Sequence, residues 1–369
     1  MGIRRIAALV VPALVALAAP ECRSRQPTVV IGLGLPLRAG LPLAVAVRDI
    51  SRMATPGDGA VRIAVDSGSA VDAAEVEARR AESLVAIPGM VGVVGHSSSR
   101  GSLVAAPIYN EAGVVQVTPI ATSRLLRTAG RWTFNLAPDD SIEGAFIGGF
   151  AAGPLKARRV AIYFVNDEYG LGLRDGVTSE LARRGVRVVD QVAMDPSSDF
   201  ETLVSASLAR ARPDVVVVAG RQAQTGDIAR LYRAHGAPRA VVGGDGALML
   251  PQLADTAGAA ADSVYAVAFW LPDAPDSLSR AFVASYRRLV GGTPQSADAM
   301  TYDALMLLAT AARASGGKPA AVRGYLESLG RTLPPYRGVT GEISFTRTTP
   351  PRLLMVRLRA GQPVRVAYP

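Results

Sequence analysis

After residue 27, short apolar runs alternate with longer segments in which apolar residues recur at helical spacing. The apolar runs have the length and β-branched content of buried strands, and 215–219 is apolar throughout, as expected of a strand covered on both faces. Strands that alternate with helices in this way predict parallel sheets. The predicted strands are 28–33, 61–66, 90–94, 114–117, 160–165, 186–192, 215–219, 240–243 and 264–269. The predicted helices are 41–53, 70–86, 102–112, 142–152, 170–184, 200–212, 225–235 and 251–257.

The last third of the chain has a different pattern. It contains helical segments followed by short apolar stretches typical of edge or hairpin strands: helices 277–290, 297–314 and 319–329, then strands 341–345, 353–358 and 363–367. The fold class predicted for the 369 residues is therefore α/β, with two doubly wound, Rossmann-like sheets. Such sheets bind ligands at the carboxyl ends of their strands, so the loops 95–101 and 118–123 are candidate binding loops.

The first residues have the layout of a secretory signal. Arg4 and Arg5 precede the apolar run 6–19, which is too short to span a bilayer and ends in small residues. Cys22, the chain's one cysteine, follows this run and is a candidate lipid attachment site, although Glu21 departs from the pattern of small residues expected there. Cleavage near 16–18 is the alternative. With one cysteine, an intrachain disulfide is excluded.

Charge and composition narrow the function classes. The formal net charge is +9, but the arginines are scattered and form no long basic block, which predicts a solvated surface. Only 5% of the residues are aromatic, which argues against a nucleic-acid partner bound on stacking platforms. The sequence has no paired Cys or His cluster, and the carboxylates at 139–140 and 167–168 are interpreted as turn and cap residues. Neither a metal nor a cofactor is expected.

The stretch "VGVVGHSSSRGS" at 91–102 nearly matches the nucleophile elbow of a serine hydrolase. The match fails at Ser99, which stands where the elbow needs glycine. The two histidines of the chain, His96 and His235, complete no credible triad, because His96 adjoins the serines and His235 is at a predicted helix end. A dinucleotide site at "IGLG" fails because the third glycine of its motif is replaced by Leu37. No catalytic residue is predicted.

Anion binding is the candidate function that these exclusions leave. Ser97, Ser98, Ser99 and Ser102 supply hydroxyl groups at a turn between a strand and a helix. Free backbone N–H groups and the positive end of the helix dipole favour a carboxylate there. The alternative is that one of these serines only caps the helix.

Four stretches together resemble the type I periplasmic binding proteins of the branched-chain amino-acid (leucine/isoleucine/valine) group. They are "GVVGHSSSRGSLVAAPIYNEAGVVQVTPIATSRLL", "VAIYFVNDEYGLGLRDGVTSELARRGVRVV", "DFETLVSASLARARPDVVVVAGRQAQTGDIARLYRAHG" and "VGGDGAL". The resemblance runs from about residue 28 to about residue 345. It implies two lobes joined by a hinge of three crossovers, with a ligand trapped between them when the hinge closes. The boundaries implied are 27–140 plus 271–343 for lobe 1 and 141–270 plus 344–369 for lobe 2, after a signal peptide and linker at 1–26.

The resemblance also implies a set of ligand-binding residues. A serine that holds the ligand's carboxylate falls on Ser99, and an acidic residue that pairs with an α-ammonium group falls on Asp245. The complete predicted site is Ser98, Ser99, Ile120, Thr122, Tyr169, Arg221 and Asp245.

Two departures from the family pattern bear on the ligand. Arg221 stands where family members often carry an aromatic residue, so it either selects an acidic ligand or pairs with Asp245 and weakens ammonium binding. The first loop, 34–40, is also short, which would widen the cleft or remove ligand contacts.

The function predicted is that of a monomeric, extracytoplasmic solute-binding protein. It would capture an amino acid, or a related carboxylate or amide, and deliver it to the permease of an ABC importer. Membrane attachment would be through a lipid on Cys22. The alternatives are a ligand-sensing receptor module of the same fold and an envelope protein that has lost the ligand site.

Overall fold

The computed structural model describes residues 29–35, 43–52, 61–66, 73–237, 239–248, 253–346 and 353–368. The predicted leader with Cys22 and most of the first loop lie outside the described residues. No helix of the described ranges combines the length and the apolar character that a membrane crossing requires.

The described strands follow one another along the chain as β1 (Val29–Gly34), β2 (Val61–Val65), β3 (Met90–Gly95), β4 (Val115–Thr118), β5 (Thr133–Asn135), β6 (Arg159–Val165), β7 (Arg187–Met194), β8 (Val215–Ala219), β9 (Ala240–Gly243), β10 (Val264–Ala268), β11 (Tyr336–Gly338), β12 (Gly341–Ile343), β13 (Leu354–Arg359) and β14 (Gln362–Arg365). The described α-helices are α1 (Leu43–Arg52), α2 (Ala74–Val85), α3 (Ser99–Ala112), α4 (Asp140–Ala152), α5 (Glu168–Arg183), α6 (Phe200–Arg210), α7 (Gln222–Ala234), α8 (Leu253–Ala257), α9 (Ser277–Leu289), α10 (Ser296–Ala314) and α11 (Pro319–Ser328). Short 3₁₀ helices occupy 124–128, 245–248 and 258–263.

The strands form two large sheets with the same winding. In the first, β2-β1-β3-β4-β5 are all parallel. In the second, β10-β9-β8-β6-β7 are parallel, and the hairpin β13–β14 joins antiparallel at the β10 edge. We call the first sheet with α1–α3 and α9–α11 lobe 1, and the second with α4–α8 lobe 2. The predicted fold class, two doubly wound α/β lobes, is confirmed.

The winding fixes where a ligand can bind. In each sheet the strand order reverses between the first strand and the third, at β1/β3 in lobe 1 and at β6/β8 in lobe 2. Crevices at the carboxyl ends of strands open at such switch points. The loops after β3, β6 and β8 are therefore the ones that a ligand should meet.

Each lobe has its own core. The branched side chains of β6 and β8 are buried on both faces of the lobe 2 sheet, whereas α10 covers the lobe 1 sheet with a face of leucines. A Cβ added at Gly92 of β3 would lie 3.0 Å from Leu308 of α10, so the helix rests directly on the strand. Two short strands, β5 and β11, have no counterpart in the hydrophobic pattern, because three residues are too few to establish a period of two.

Candidate functional site

All seven residues of the predicted site line one small cavity between the lobes. The cavity has a volume of about 30 Å³, which is room for a single water molecule. Lobe 1 contributes the loops after β3 and β4, and lobe 2 contributes the loops after β6, β8 and β9. The described lining residues are Ser97, Ser98, Ser99, Ile120, Ala121, Thr122, Tyr169, Arg221, Asp245 and Gly246.

Helix N-termini from both lobes converge on this cavity. Ser98 caps α3, where its hydroxyl accepts the Gly101 N–H at 2.9 Å. Asp167 caps α5 by accepting the Gly170 N–H at 2.9 Å, as the sequence predicted. Arg221 is the residue before α7. Each helix presents the positive end of its dipole to the cavity, which favours an anionic group there.

The lobe 1 wall combines a helix cap with two hydroxyl groups. Ser98 performs the capping role that the sequence left open for one of the serines. Ser99 is buried, and its hydroxyl accepts the backbone N–H of Ser123 at 3.2 Å, which ties the loop after β3 to the loop after β4. The hydroxyl oxygen of Thr122 is buried without a hydrogen-bond partner among the described residues. The hydrogens of Ser99 and Thr122 are thus available to an acceptor in the cavity.

The lobe 2 wall is built around Asp245. The Tyr169 hydroxyl accepts the Gly246 N–H at 3.2 Å, and a Cβ added at Gly244 would lie 2.6 Å from the same hydroxyl. Burial raises the pKa of Asp245 to about 6, although the Tyr169 hydroxyl and the Arg221 charge act in the opposite direction. One of its carboxylate oxygens, Oδ1, has no partner within the described part of the chain.

Two further carboxyl groups lie behind this wall, on α4. Glu143 is fully buried, and its Oε1 accepts the Asp245 N–H at 2.6 Å. Burial and the nearby Asp245 carboxylate raise the pKa of Glu143 well above its ordinary value. Asp140 is 1% exposed, and burial together with its acidic neighbours raises its pKa to about 8. The described residues offer no group of three or more His, Cys, Asp or Glu side chains that could hold a metal ion.

The sequence missed both of these carboxyl groups as site residues. Asp139 is the cap of α4, as predicted, and accepts the Ser141 N–H at 3.0 Å. Asp140 is no cap: it faces the interior, which corrects its interpretation as a turn residue. A signal for Glu143 existed, because it is the one charged residue in the segment 141–153, which is rich in glycine, alanine and phenylalanine.

Arg221 makes its ion pair with Asp167 rather than with Asp245. Its Nη2 is 2.9 Å from Asp167 Oδ2, and its guanidinium carbon is 5.8 Å from the centre of the Tyr169 ring. The side chain is one-third exposed. The guanidinium group therefore borders the cavity, while Asp245 lacks a direct ion pair with it among the contacts described for these residues.

A buried charge network supports the serine loop from behind. His96 is fully buried, with Nδ1 against Glu77 and Nε2 3.0 Å from the Tyr109 hydroxyl. Arg80 binds both Glu77 oxygens at 2.7 Å. Burial would raise the pKa of Glu77, yet its contacts with His96 and Arg80 lower it. His96 is thus a buried packing residue, and it is absent from the lining of the cavity.

The two lobes also touch beside the cavity. Arg100 on α3 binds Glu168 on α5, with Nε 3.0 Å from Oε2, and each side chain is more than a third exposed. Since the cavity is far smaller than the 300–1,000 Å³ of ordinary ligand pockets, the cleft is closed in this structure.

Comparisons with known proteins agree with this architecture. The family model described as "Periplasmic binding protein" matches residues 62–354. The Leu/Ile/Val-binding protein homolog 1 of Brucella abortus is 27% identical over 271 residues, which are 73% of this chain and 71% of that protein.

Solved structures show the same fold. The substrate-binding protein LivJ of Streptococcus pneumoniae, in complex with isoleucine, has a TM-score of 0.80 and 22% identity, covering 92% of this chain and 100% of that one. A solute-binding protein of Rhodopseudomonas palustris BisB5, in complex with 3,4-dihydroxybenzoic acid, has a TM-score of 0.78 and 18% identity, covering 92% and 96%. With two matching lobes and a family model that spans most of its length, this chain belongs to the periplasmic binding protein family.

Proposed function

We propose that this protein captures a small α-amino acid between its lobes and delivers it to an ABC importer. As a member of a family of substrate-binding proteins, it is a binder rather than an enzyme and acts outside the cytoplasm. The observation that carries the ligand class is the contrast between the two walls of the cavity. Hydroxyl groups and the N-terminus of α3 face it from lobe 1, whereas lobe 2 adds a buried carboxylate to the N-termini of α5 and α7.

A zwitterion complements both walls. Its carboxylate would accept hydrogen bonds from Ser99, Thr122 and the N-terminus of α3, where the helix dipole also stabilises negative charge. Its ammonium group would meet the unpartnered oxygen of Asp245. Because these contacts come from different lobes, such a ligand favours the closed state over the open one. The relative and one of the structural neighbours are named for branched-chain amino acids, which supports the same class.

A second ligand class is favoured by Arg221. A guanidinium at the cavity edge is a bidentate partner for a carboxylate, and a structural neighbour holds an aromatic carboxylate. Aromatic and other acidic ligands therefore belong in the same screen.

The experiment is a thermal-shift screen of the mature protein, followed by calorimetric titration. The panel contains the twenty L-amino acids, their amides, dicarboxylates and benzoates. A ligand at 100 times its Kd stabilises the folded state by about 2.7 kcal/mol. A shift with amino acids but not with benzoates supports the proposal, whereas a shift with benzoates alone identifies the second class.

Asp245→Asn is the sharpest variant for this site. The amide keeps the shape but removes the negative charge, so we expect affinity for α-amino acids to fall by at least 100-fold, or about 2.7 kcal/mol. Calorimetric titration measures the loss. Asp175→Asn, in an exposed pair with Arg174, is the control. Unchanged affinity in Asp245→Asn would rule out an ammonium site at this position.

We propose export through a signal peptide within the segment 1–26, which also contains a linker, attachment through a lipid on Cys22, and a monomeric state. Mass spectrometry of the exported protein tests the first two, because lipidation adds the mass of the lipid and Cys22→Ala removes it. Cleavage near 16–18 with an unmodified Cys22 would contradict the lipid anchor. Sedimentation analysis tests the oligomeric state.

A further inference from the structure

Glu143 brings a second carboxyl group to the proposed ammonium site. It is 0% exposed, and its Oε1 is 2.6 Å from the backbone nitrogen of Asp245. Glu143 Oε2 and Asp245 Oδ1 are both buried, and neither accepts a hydrogen bond from a donor group in the described ranges, although the two carboxyl groups interact with each other. The close pair therefore contains unsatisfied acceptors on both of its members.

The surroundings do not neutralise the two charges. On α4 itself, Asp140 adds a third buried carboxyl group, and α5 contributes the Tyr169 hydroxyl and Asp167. The cations that act on this cluster are Arg221, which is bonded to Asp167, and Arg124, which is exposed. Arg221 thus has a carboxylate partner outside the Glu143–Asp245 pair, and Arg124 is on the surface.

An independent observation indicates that these groups face a ligand. Thr122 belongs to lobe 1 and is only 1% exposed, yet its hydroxyl oxygen also lacks a partner among the described residues. It lines the same cavity as Asp245, from the opposite side. Unsatisfied buried polar atoms cost about 1–3 kcal/mol each, so their convergence from two lobes is typical of a place that a polar ligand completes.

Two buried carboxyl groups in contact are not both ionised near neutral pH. The repulsion raises the pKa of one of them, as in paired-carboxylate sites in general, and one proton then serves both. A ligand ammonium group placed beside Asp245 supplies a full positive charge at the same position. This positive charge offsets the repulsion between the two carboxylates, so both can be ionised and the shared proton is released.

We propose that Glu143 and Asp245 share a proton that the ligand's ammonium group displaces, so that capture of an amine-bearing ligand is coupled to release of a proton to solvent. Glu143 then acts as a specificity-determining residue. A ligand with a carboxylate but no amine leaves the proton in place and gains nothing from this wall. The inference rests on the proposed function, since it takes an amino acid as the ligand.

The test is calorimetric titration in buffers of different ionisation enthalpy. The probes are the L-amino acid with the largest thermal shift in the screen and its des-amino analogue, each at pH 6 and pH 7.5. For the wild type we expect release of about half a proton to one proton per amino acid bound, and tighter binding at the higher pH. The des-amino analogue should release none and bind at least tenfold more weakly.

Glu143→Gln separates proton displacement from simple binding. The amide can still accept the Asp245 N–H but cannot hold the shared proton, so we expect proton release to fall to near zero and the affinity at pH 7.5 to fall by less than it does in Asp245→Asn. Glu180→Gln is the matched control, because Glu180 is a buried glutamate on α5 that pairs with Arg183 and Arg184. It should release as many protons as the wild type.

The outcomes are distinct. Failure of every amine in the panel to bind overturns the proposed function and this inference together. Binding without proton release, or equal release by Glu143→Gln and the wild type, overturns the shared proton alone. Infrared spectroscopy tests the same step in an Asp140→Asn background, which removes another buried carboxyl group that is protonated at pH 7: the spectrum should show a protonated carboxyl band at pH 7 that disappears when the amino acid binds. A spectrum that lacks this band before ligand is added also overturns the inference.

Discussion

At the scale of single residues, the chemistry of the cavity is decided by groups that are buried but not neutralised. Asp140, Glu143 and Asp245 all have raised pKa values, and burial is the main cause for each. Stability and binding should therefore respond to pH in opposite directions. As pH rises, these groups become ionised. Their buried charges destabilise the ligand-free protein, but the same charges strengthen the binding of an ammonium group.

Asp140 provides the stability test. Its pKa rises from an ordinary 3.8 to about 8 on folding, so the folded state binds the proton more tightly than the unfolded state does. The free energy of unfolding then decreases as pH rises from about 4 to 8. Asp140→Asn should abolish this part of the decrease and stabilise the protein at pH 8 by about 1–3 kcal/mol relative to the wild type.

Thermal unfolding of ligand-free protein from pH 5 to pH 8 measures that effect. Asp175→Asn, which changes an exposed aspartate, should preserve the wild-type pH dependence. A parallel decline in Asp140→Asn and the wild type would show that Asp140 is not the titrating group.

A variant of Arg221 tests whether this residue selects ligands by their charge. Its guanidinium group borders the cavity while paired with Asp167, so an acidic ligand could compete for it. We expect Arg221→Ala to weaken acidic or aromatic carboxylate ligands by about tenfold, or 1.4 kcal/mol, and neutral amino acids by less than threefold. Titrations with both ligand types decide this, and an equal loss for both would argue against a role in selectivity.

At the scale of elements, the position of the carboxyl groups depends on how closely α4 approaches α5. A Cβ added at Gly176 would lie 2.5 Å from the Asp140 carbonyl oxygen and 3.2 Å from the Gly144 Cα. Glycines on the facing sides of both helices permit this approach. It brings Glu143 on one helix and Tyr169 on the other to the same side of Asp245.

Gly176→Ala should therefore destabilise the protein, although alanine is normally the better helix former. The methyl group meets backbone, which cannot move aside, so we expect a loss of about 1–3 kcal/mol and weaker ligand binding. Gly324→Ala is the matched control, because Gly324 is an exposed helical glycine with open space at its Cβ position. It should gain about 0.5–1 kcal/mol in chemical denaturation. A gain in both variants would contradict the close packing of α4 on α5.

At the scale of the whole molecule, function depends on closure of one lobe on the other. The cavity is enclosed between lobes that touch beside it, so the lobes must separate for a ligand to enter. The pair Arg100–Glu168 joins the lobes at 3.0 Å beside the cavity. As an exposed ion pair it is worth about 0.2–1 kcal/mol to the closed state.

A double-mutant cycle measures this contribution. Arg100→Ala and Glu168→Ala should each weaken ligand affinity by about 1.5- to 5-fold, and the double variant should be no weaker than the single ones. Salt should reduce the effect, because exposed charges are screened. Additive losses at low salt would show that the two residues do not act through each other.

The sequence by itself determined most of the elements, their α/β order and the loops that carry the site, although it missed the three-residue strands β5 and β11. Hydrophobic periodicity reports which face of each element is buried, and parallel winding brings the carboxyl ends of the strands together. For this reason Ser99, Tyr169 and Asp245 could be placed near one another from a resemblance and a fold class. The first loop and Cys22 are outside the described residues and stay as predictions.

Only the tertiary structure decided which charges meet inside the cleft. Glu143 and Asp245 are separated by about a hundred positions in the sequence, and their contact requires α4 to pack on α5. Likewise Arg221 pairs with Asp167, because both precede helices at the same switch point of lobe 2. Local periodicity carries no information on such pairings, since they depend on the distance and dielectric between groups that only packing brings together.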